Sequence, residues 1–148
     1  MFRGVTHLAL DNKGRLAIPA RHREGLARQA EGRLVLTADP SLCLLLYPLL
    51  AWEPIQQRLM ALSSFNEKIR ALQRLLVGHA DDVALDGAGR ILVPPALRQY
   101  ATLDKRVVLV GQGNKFELWD EAKWLERTEH AVAFPADGLP PELDGFSL

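Results

Sequence analysis

The chain has 148 residues, of which 48% are hydrophobic and 24% are charged, and its 18 basic and 18 acidic residues give no net charge. This balance is typical of a soluble globular protein of one or two small domains, and it argues against a nonspecific polycationic binder. A single cysteine, Cys43, excludes a disulfide framework and a cysteine-based zinc site, and no apolar run reaches the roughly 18 residues of a transmembrane helix.

The charges are distributed unevenly along the chain. Residues 1–79 carry 11 Lys or Arg and 6 Asp or Glu, whereas residues 80–148 carry 7 and 12. The first part is therefore +5 and the second −5. Any surface that meets phosphates is expected in the first part, and opposite charges at two ends of a subunit favour head-to-tail contacts that can close into a ring.

Two short strands are predicted first, over residues 5–10 and 16–18. They flank the sequence Asp11-x-x-Gly14, which is typical of a hairpin turn because Asp starts turns through its side chain and Gly accepts a positive φ. Pro19 ends the second strand and suits the first turn of a helix predicted over residues 20–30. Strands over 34–37 and 42–47 follow, with Cys43 expected as a buried thiol, and then a helix over 48–62.

An extra helix is predicted next. The sequence from Ser64 to Glu67 has the pattern of a capping box. Phe65, Ile69, Leu72 and Leu76 then form an apolar stripe at helical spacing. We expect this stripe to contact the core or a partner.

The first segment is repeated. Residues 8–19, LALDNKGRLAIP, return 75 residues later as VALDGAGRILVP, and Arg23 and Arg98 keep the same offset within the repeat. The second copy predicts strands over 82–85, 91–93, 107–110 and 116–119, and helices over 95–100 and 120–133. We therefore expect a β-rich α+β fold of two fused, pseudo-symmetric modules, residues 1–78 and 79–134, followed by a Pro-rich tail of residues 135–148 with little fixed structure.

Both copies contain Asp-x-x-x-Arg, formed by Asp11 and Arg15 and again by Asp86 and Arg90. In one interpretation the carboxylate pairs with the arginine only to shape the turn. In the other, the turn presents a guanidinium outward, where its planar fork suits phosphates or guanine edges. The first turn adds Asn12 and Lys13, whereas the second has only glycine and alanine there, so the first is the better candidate for DNA contact.

The chain resembles the MraZ family, a bacterial branch of the AbrB-like swapped-hairpin β-barrel superfamily. The resemblance is carried by MFRG at the N-terminus, LDNKGR at residues 10–15 and VVLVGQGNKFELW at 107–119, and it extends to about residue 130. It implies one β-barrel of two swapped-hairpin modules in a cytoplasmic, nucleoid-associated regulator of the cell-division and cell-wall gene cluster. It also implies a homo-oligomeric ring that binds tandem repeats in double-stranded promoter DNA. The implied DNA contacts are Arg15 first, then Lys13, Arg3 and Asn12, and the residues that orient the motif are Asp11, Gly14, Asp86, Gly89 and Arg90.

Other functions fit the sequence less well than DNA binding or overlap with it. An enzyme is disfavoured because none of the four histidines has a Ser or Cys companion in sequence, and no cofactor or metal site is expected. An RNA binder is disfavoured because exposed aromatics are not interleaved with basic residues. A protein-interaction role, such as an antitoxin-like partner binder that uses the Pro-rich tail, stays open and is compatible with DNA binding.

Overall fold

The computed structural model describes residues 1–131 and 140–145. Each half contributes four strands to the described part of the fold. The elements of the first half are β1 (Phe2–Ala9), β2 (Arg15–Ala17), α1 (Ala20–Ala30), β3 (Arg33–Ala38), β4 (Leu44–Pro48), α2 (Leu49–Met60) and α3 (Glu67–Leu72), which continues into a π-helical turn (Gln73–Val77). Those of the second are β5 (Asp81–Ala84), β6 (Arg90–Leu92), α4 (Pro95–Tyr100), β7 (Arg106–Gly113), β8 (Phe116–Asp120) and α5 (Glu121–Ala131).

The strands form a six-stranded antiparallel sheet, in the order β1-β7-β8-β4-β3-β5, and a two-stranded antiparallel ribbon of β2 and β6. This confirms the β-rich α+β class. The expectation of a closed barrel is wrong, because β1 and β5 are the two edges of an open sheet. The swapped-hairpin description stays a prediction.

The first strand of each half pairs with the opposite half. Along β1, Phe2 lies opposite Gly113 and Ala9 opposite Arg106, while β5 pairs with β3. The predicted turns are present, but the prediction that the strands on either side of each turn pair with each other is wrong, since β1 pairs with β7, β5 with β3 and β2 with β6. The reason is burial: pairing β2 with β6 places Leu16 opposite Ile91, and both side chains are at most 1% exposed.

One hydrophobic core draws on both halves, with Leu16 and Ile18 from the first and Ile91 and Val93 from the second. Phe116 is fully buried in the same cluster. Two smaller clusters lie beneath helices. Val35, Leu45, Tyr47 and Trp52 form one with α2, and Cys43, Val108, Val110 and Trp119 form the other with Trp124 of α5.

Cys43 is a buried free thiol, as predicted. Its exposed fraction is 0%, and burial raises the pKa of the thiol well above its ordinary value. The carboxylates of Glu117 and Asp39 push the pKa in the same direction. The thiol is thus a small apolar core group rather than a nucleophile.

The start of α3 differs from the prediction. Asn66, not Ser64, caps the helix: its Oδ1 accepts hydrogen bonds from the backbone N–H of Lys68 at 2.9 Å and of Ile69 at 3.2 Å. Phe65 precedes the cap and is 97% exposed, so of the two predicted roles for the stripe, contact with the core is wrong for this residue, while contact with a partner stays a prediction. The short Asn side chain reaches the first free N–H groups directly, which starts the helix later than a capping box at Ser64 would.

Among the described residues, no helix has the length and apolar character needed to cross a membrane. Most of the predicted tail lies outside the described residues. Within residues 140–145, Pro141–Leu143 form a single 3-10 turn.

Candidate nucleic-acid interface

The Asp11 carboxylate organises the first turn, residues 11–15. Its Oδ1 accepts hydrogen bonds from the backbone N–H of Lys13 at 2.9 Å and of Arg15 at 2.8 Å. Its Oδ2 accepts one from the Arg15 Nε at 2.6 Å. The Arg15 backbone N–H is the largest of the effects that lower the Asp11 pKa from 3.8 to about 2; desolvation opposes it, and the Arg15 side chain and the Lys13 backbone N–H lower the pKa further. One carboxylate therefore fixes both the loop and the direction of the guanidinium.

The second turn, residues 86–90, has the same bonding pattern. The Asp86 Oδ1 accepts from the backbone N–H of Ala88 at 2.8 Å and of Arg90 at 2.9 Å, and its Oδ2 accepts from the Arg90 Nε at 3.1 Å. The Arg90 backbone N–H is the largest of the effects that lower the Asp86 pKa. The sequence repeat is thus a repeat of three-dimensional geometry.

Gly14 and Gly89 complete the two turns. Their φ angles are +81° and +75°, in the left-handed region that a glycine adopts without strain. A glycine in this conformation at the end of a three-residue loop is the usual way to close a short hairpin turn. The predicted turn chemistry is therefore present in both copies.

The two turns are joined to each other. The Ile18 N–H donates to the Gly89 carbonyl at 3.0 Å, and the Val93 N–H donates to the Gly14 carbonyl at 2.9 Å. Together with the β2–β6 ladder, these bonds turn two distant sequence motifs into one two-stranded structure, which we call the β2–β6 ribbon.

One face of the β2–β6 ribbon carries both motif arginines. Leu16 and Ile91 point into the core, so the alternation of strand side chains directs Arg15 and Arg90 to the opposite face. They are diagonal neighbours, because Arg15 lies opposite Leu92 and Arg90 opposite Ala17. The Cα atoms of such diagonal neighbours are about 7–8 Å apart, and their Cβ atoms lie somewhat closer. Among the described residues, the terminal nitrogens of both guanidinium groups make no hydrogen bond within the chain.

The two turns differ in charge. Asn12 and Lys13 are exposed on the first turn, where the second has Gly87 and Ala88. With Asp11 and Arg15 counted, the first turn has a net charge of +1 and the second a net charge of zero. The β2–β6 ribbon therefore has a basic end and a neutral end.

Arg3 is not brought to this site. It is exposed on β1 opposite Gln112, six positions before Ala9 at the strand's other end. At about 3.3 Å per residue, this places Arg3 about 20 Å along the strand from the turn.

The arginines of α1 have separate partners. Arg28 forms an ion pair with Glu24, and Arg21 donates to the Thr6 Oγ1 at 2.6 Å and to the His22 Nε2 at 3.2 Å. Arg23 and its repeat equivalent Arg98 lie behind the turns, a placement that sequence reasoning missed although their equal offset was visible.

The sequence comparisons agree on one family. A family model described as "MraZ protein, putative antitoxin-like" matches residues 1–75 and again residues 76–136. A protein of Nitrosospira multiformis is 64% identical, one of Methylobacillus flagellatus 60% and one of Thiobacillus denitrificans 56%, each over 148 residues that cover both chains completely. All three are named "Transcriptional regulator MraZ", a name that denotes no enzyme class.

Proposed function

This chain belongs to the MraZ family, and on that basis we propose that it is a sequence-specific regulator of transcription that binds promoter DNA through the outer face of the β2–β6 ribbon. The observation that carries the proposal is the pair of arginines on that face, each aligned by its own aspartate.

A two-stranded ribbon is one of the two structures that the major groove of B-DNA admits, since the groove is about 12 Å wide. The guanidinium fork matches the O6 and N7 acceptors of guanine, and a good bidentate pair discriminates against the wrong base by about 1–3 kcal/mol. In both turns the Nε is held by the aspartate, which leaves the terminal nitrogens for this contact. The arginine is thus oriented before it meets a base.

The first turn takes the larger share of this function. Arg15 is the base-reading residue, with Lys13 and Asn12 beside it as phosphate and base contacts. Arg90 is a second, weaker contact, because the turn that carries it has no further basic or amide side chain. Arg3 has the least direct role, given its distance from the turn.

A zero net charge and one small ribbon imply few phosphate contacts per subunit, so useful affinity requires several subunits on one DNA molecule. We propose a homo-oligomeric ring that binds tandem promoter repeats. The charges of +5 on residues 1–79 and −5 on residues 80–148 favour head-to-tail contacts between subunits. The resemblance supplies the gene target, the division and cell-wall cluster, and a cytoplasmic, nucleoid-associated location.

Fluorescence anisotropy tests this function. A labelled duplex of tandem promoter repeats and a scrambled duplex are titrated with wild type, Arg15→Ala and Arg90→Ala at several salt concentrations. We expect Arg15→Ala to weaken specific binding by at least about 10-fold and Arg90→Ala by less. Arg58→Ala, at an exposed site on α2, is the control for simple loss of a positive charge. Equal binding of both duplexes by wild type would contradict the proposal.

A further inference from the structure

Arg23 and Arg98 occupy equivalent places in the two halves, and neither is on the outer face of the ribbon. We propose that they are positioning residues that act across the fold: Arg98 holds the first turn and Arg23 holds the second turn in the geometry that reads DNA. The inference rests on the proposed function for the reading step, whereas the holding of the turns depends on the geometry alone.

Arg98 of α4 lies against the first turn. Its Nε donates to the Val93 carbonyl at 3.1 Å, and the Val93 N–H donates to the Gly14 carbonyl. A Cβ added to Gly14 would lie 2.7 Å from the Arg98 Cζ and 2.8 Å from its Nε, so the guanidinium fills the space that a side chain would need. Val93 is thus bonded on one side to the turn and on the other to the arginine.

The arrangement is repeated with the halves exchanged. The Nε of Arg23 on α1 donates to the Ile18 carbonyl at 2.7 Å, and the Ile18 N–H donates to the Gly89 carbonyl. A Cβ on Gly89 would lie 2.5 Å from the Arg23 Nε. Each arginine comes five residues after the one whose carbonyl it binds. A contact formed twice, by equivalent residues, is not an accident of surface packing.

The chemistry requires an arginine at both places. The Nε–H makes the bond to the carbonyl, while the planar group packs against the glycine. A lysine would keep the charge and could still donate a hydrogen bond, but it lacks the planar surface. The contact of Arg98 with the first turn is one of packing against Gly14, and Arg98 is not among the groups that lower the Asp11 pKa. A change in the shape of the turn is therefore expected to change the Asp11 pKa.

Carboxyl-carbon NMR on the full chain tests the crossed arrangement. In Arg98→Ala, we expect the Asp11 pKa to rise from about 2 toward its ordinary value of 3.8, while the Asp86 pKa stays as in wild type. In Arg23→Ala the Asp86 pKa rises and the Asp11 pKa stays. Two unchanged values, or an equal rise of both in one variant, would overturn the proposal. Arg98→Lys and Arg23→Lys give a smaller version of the same pattern and replace any alanine variant that fails to fold.

DNA binding separates positioning from direct contact. With the tandem-repeat duplex, we expect Arg98→Ala to weaken binding about 5- to 10-fold, at the low end of the loss of one bidentate arginine–guanine pair. We expect the salt dependence to stay unchanged, because Arg98 itself makes no phosphate contact. A salt slope that falls by about one would make Arg98 a phosphate contact and overturn the positioning role. If wild type does not prefer the repeats, the proposed function fails, while the NMR result still decides whether the arginines hold the turns.

Discussion

Replacing Gly14 by alanine tests whether the first turn depends on its left-handed residue and on the neighbouring arginine. An alanine at φ +81° costs about 1–2 kcal/mol in backbone strain. Its Cβ would also lie 2.7 Å from the Arg98 Cζ, so Arg98 must move and lose its bond to Val93, which costs about 1 kcal/mol more. Gly14→Ala is therefore expected to lower the free energy of unfolding by about 2–3 kcal/mol in total.

Gly87→Ala is the matched control. Gly87 lies in the second turn, has no positive φ, and an added Cβ meets nothing within 4 Å. This substitution is expected to leave the free energy of unfolding unchanged or to raise it by up to about 1 kcal/mol, because alanine restricts the unfolded chain.

The free energy of unfolding is measured by urea denaturation followed by tryptophan fluorescence, with all variants at one protein concentration. Gly14→Ala should lower the midpoint without changing the dependence on urea, and the thermal midpoint should fall by about 5–10 °C. A Gly14→Ala protein within about 0.5 kcal/mol of wild type would show that the first turn depends neither on the left-handed residue nor on its contact with Arg98. A Gly87→Ala protein that is destabilised as much would show that the loss does not come from these two features.

Two further substitutions test the packing around the site. Burial lowers the pKa of His22, so the unfolded state takes up a proton first as the pH falls below about 6.5, and the stability of the wild type declines toward acid pH. His22→Leu, which copies the equivalent Leu97, should show a smaller fall in thermal midpoint between pH 7.5 and 5. Equal falls in the two proteins would contradict this. Asn66→Ala should cost about 1 kcal/mol through loss of the α3 cap, whereas Ser64→Ala should cost almost nothing by the same urea assay; the reverse order would restore the predicted capping box.

The local structure of the repeat could be predicted from sequence because its signals are local. Pro19 and Pro94 each end a strand and precede a helix, and the helices Ala20–Ala30 and Pro95–Tyr100 lie where the sequence predicts them. The turn chemistry of the two aspartates and two glycines could be predicted for the same reason.

Strand partners could not be predicted in this way. The apolar alternation of a strand indicates which side is buried, but it does not indicate which strand lies beside it. The pattern therefore predicts that Leu16 is buried, but it does not predict that Leu16 lies opposite Ile91. For the same reason, the sequence does not indicate that Arg15 and Arg90 share one face of the ribbon. The equal offset of Arg23 and Arg98 does not indicate which residues they contact.

The pairing of β1 with β7 has a consequence for how the protein is made. Phe2 lies opposite Gly113, so β1 is synthesised 111 residues before its partner strand. Synthesis of that stretch takes on the order of 5 to 20 s. Throughout that time β1 lacks the strand with which it pairs, and the high contact order of the fold makes folding slow. This segment is therefore open to incorrect pairing for longer than the strands of a protein built from local hairpins would be.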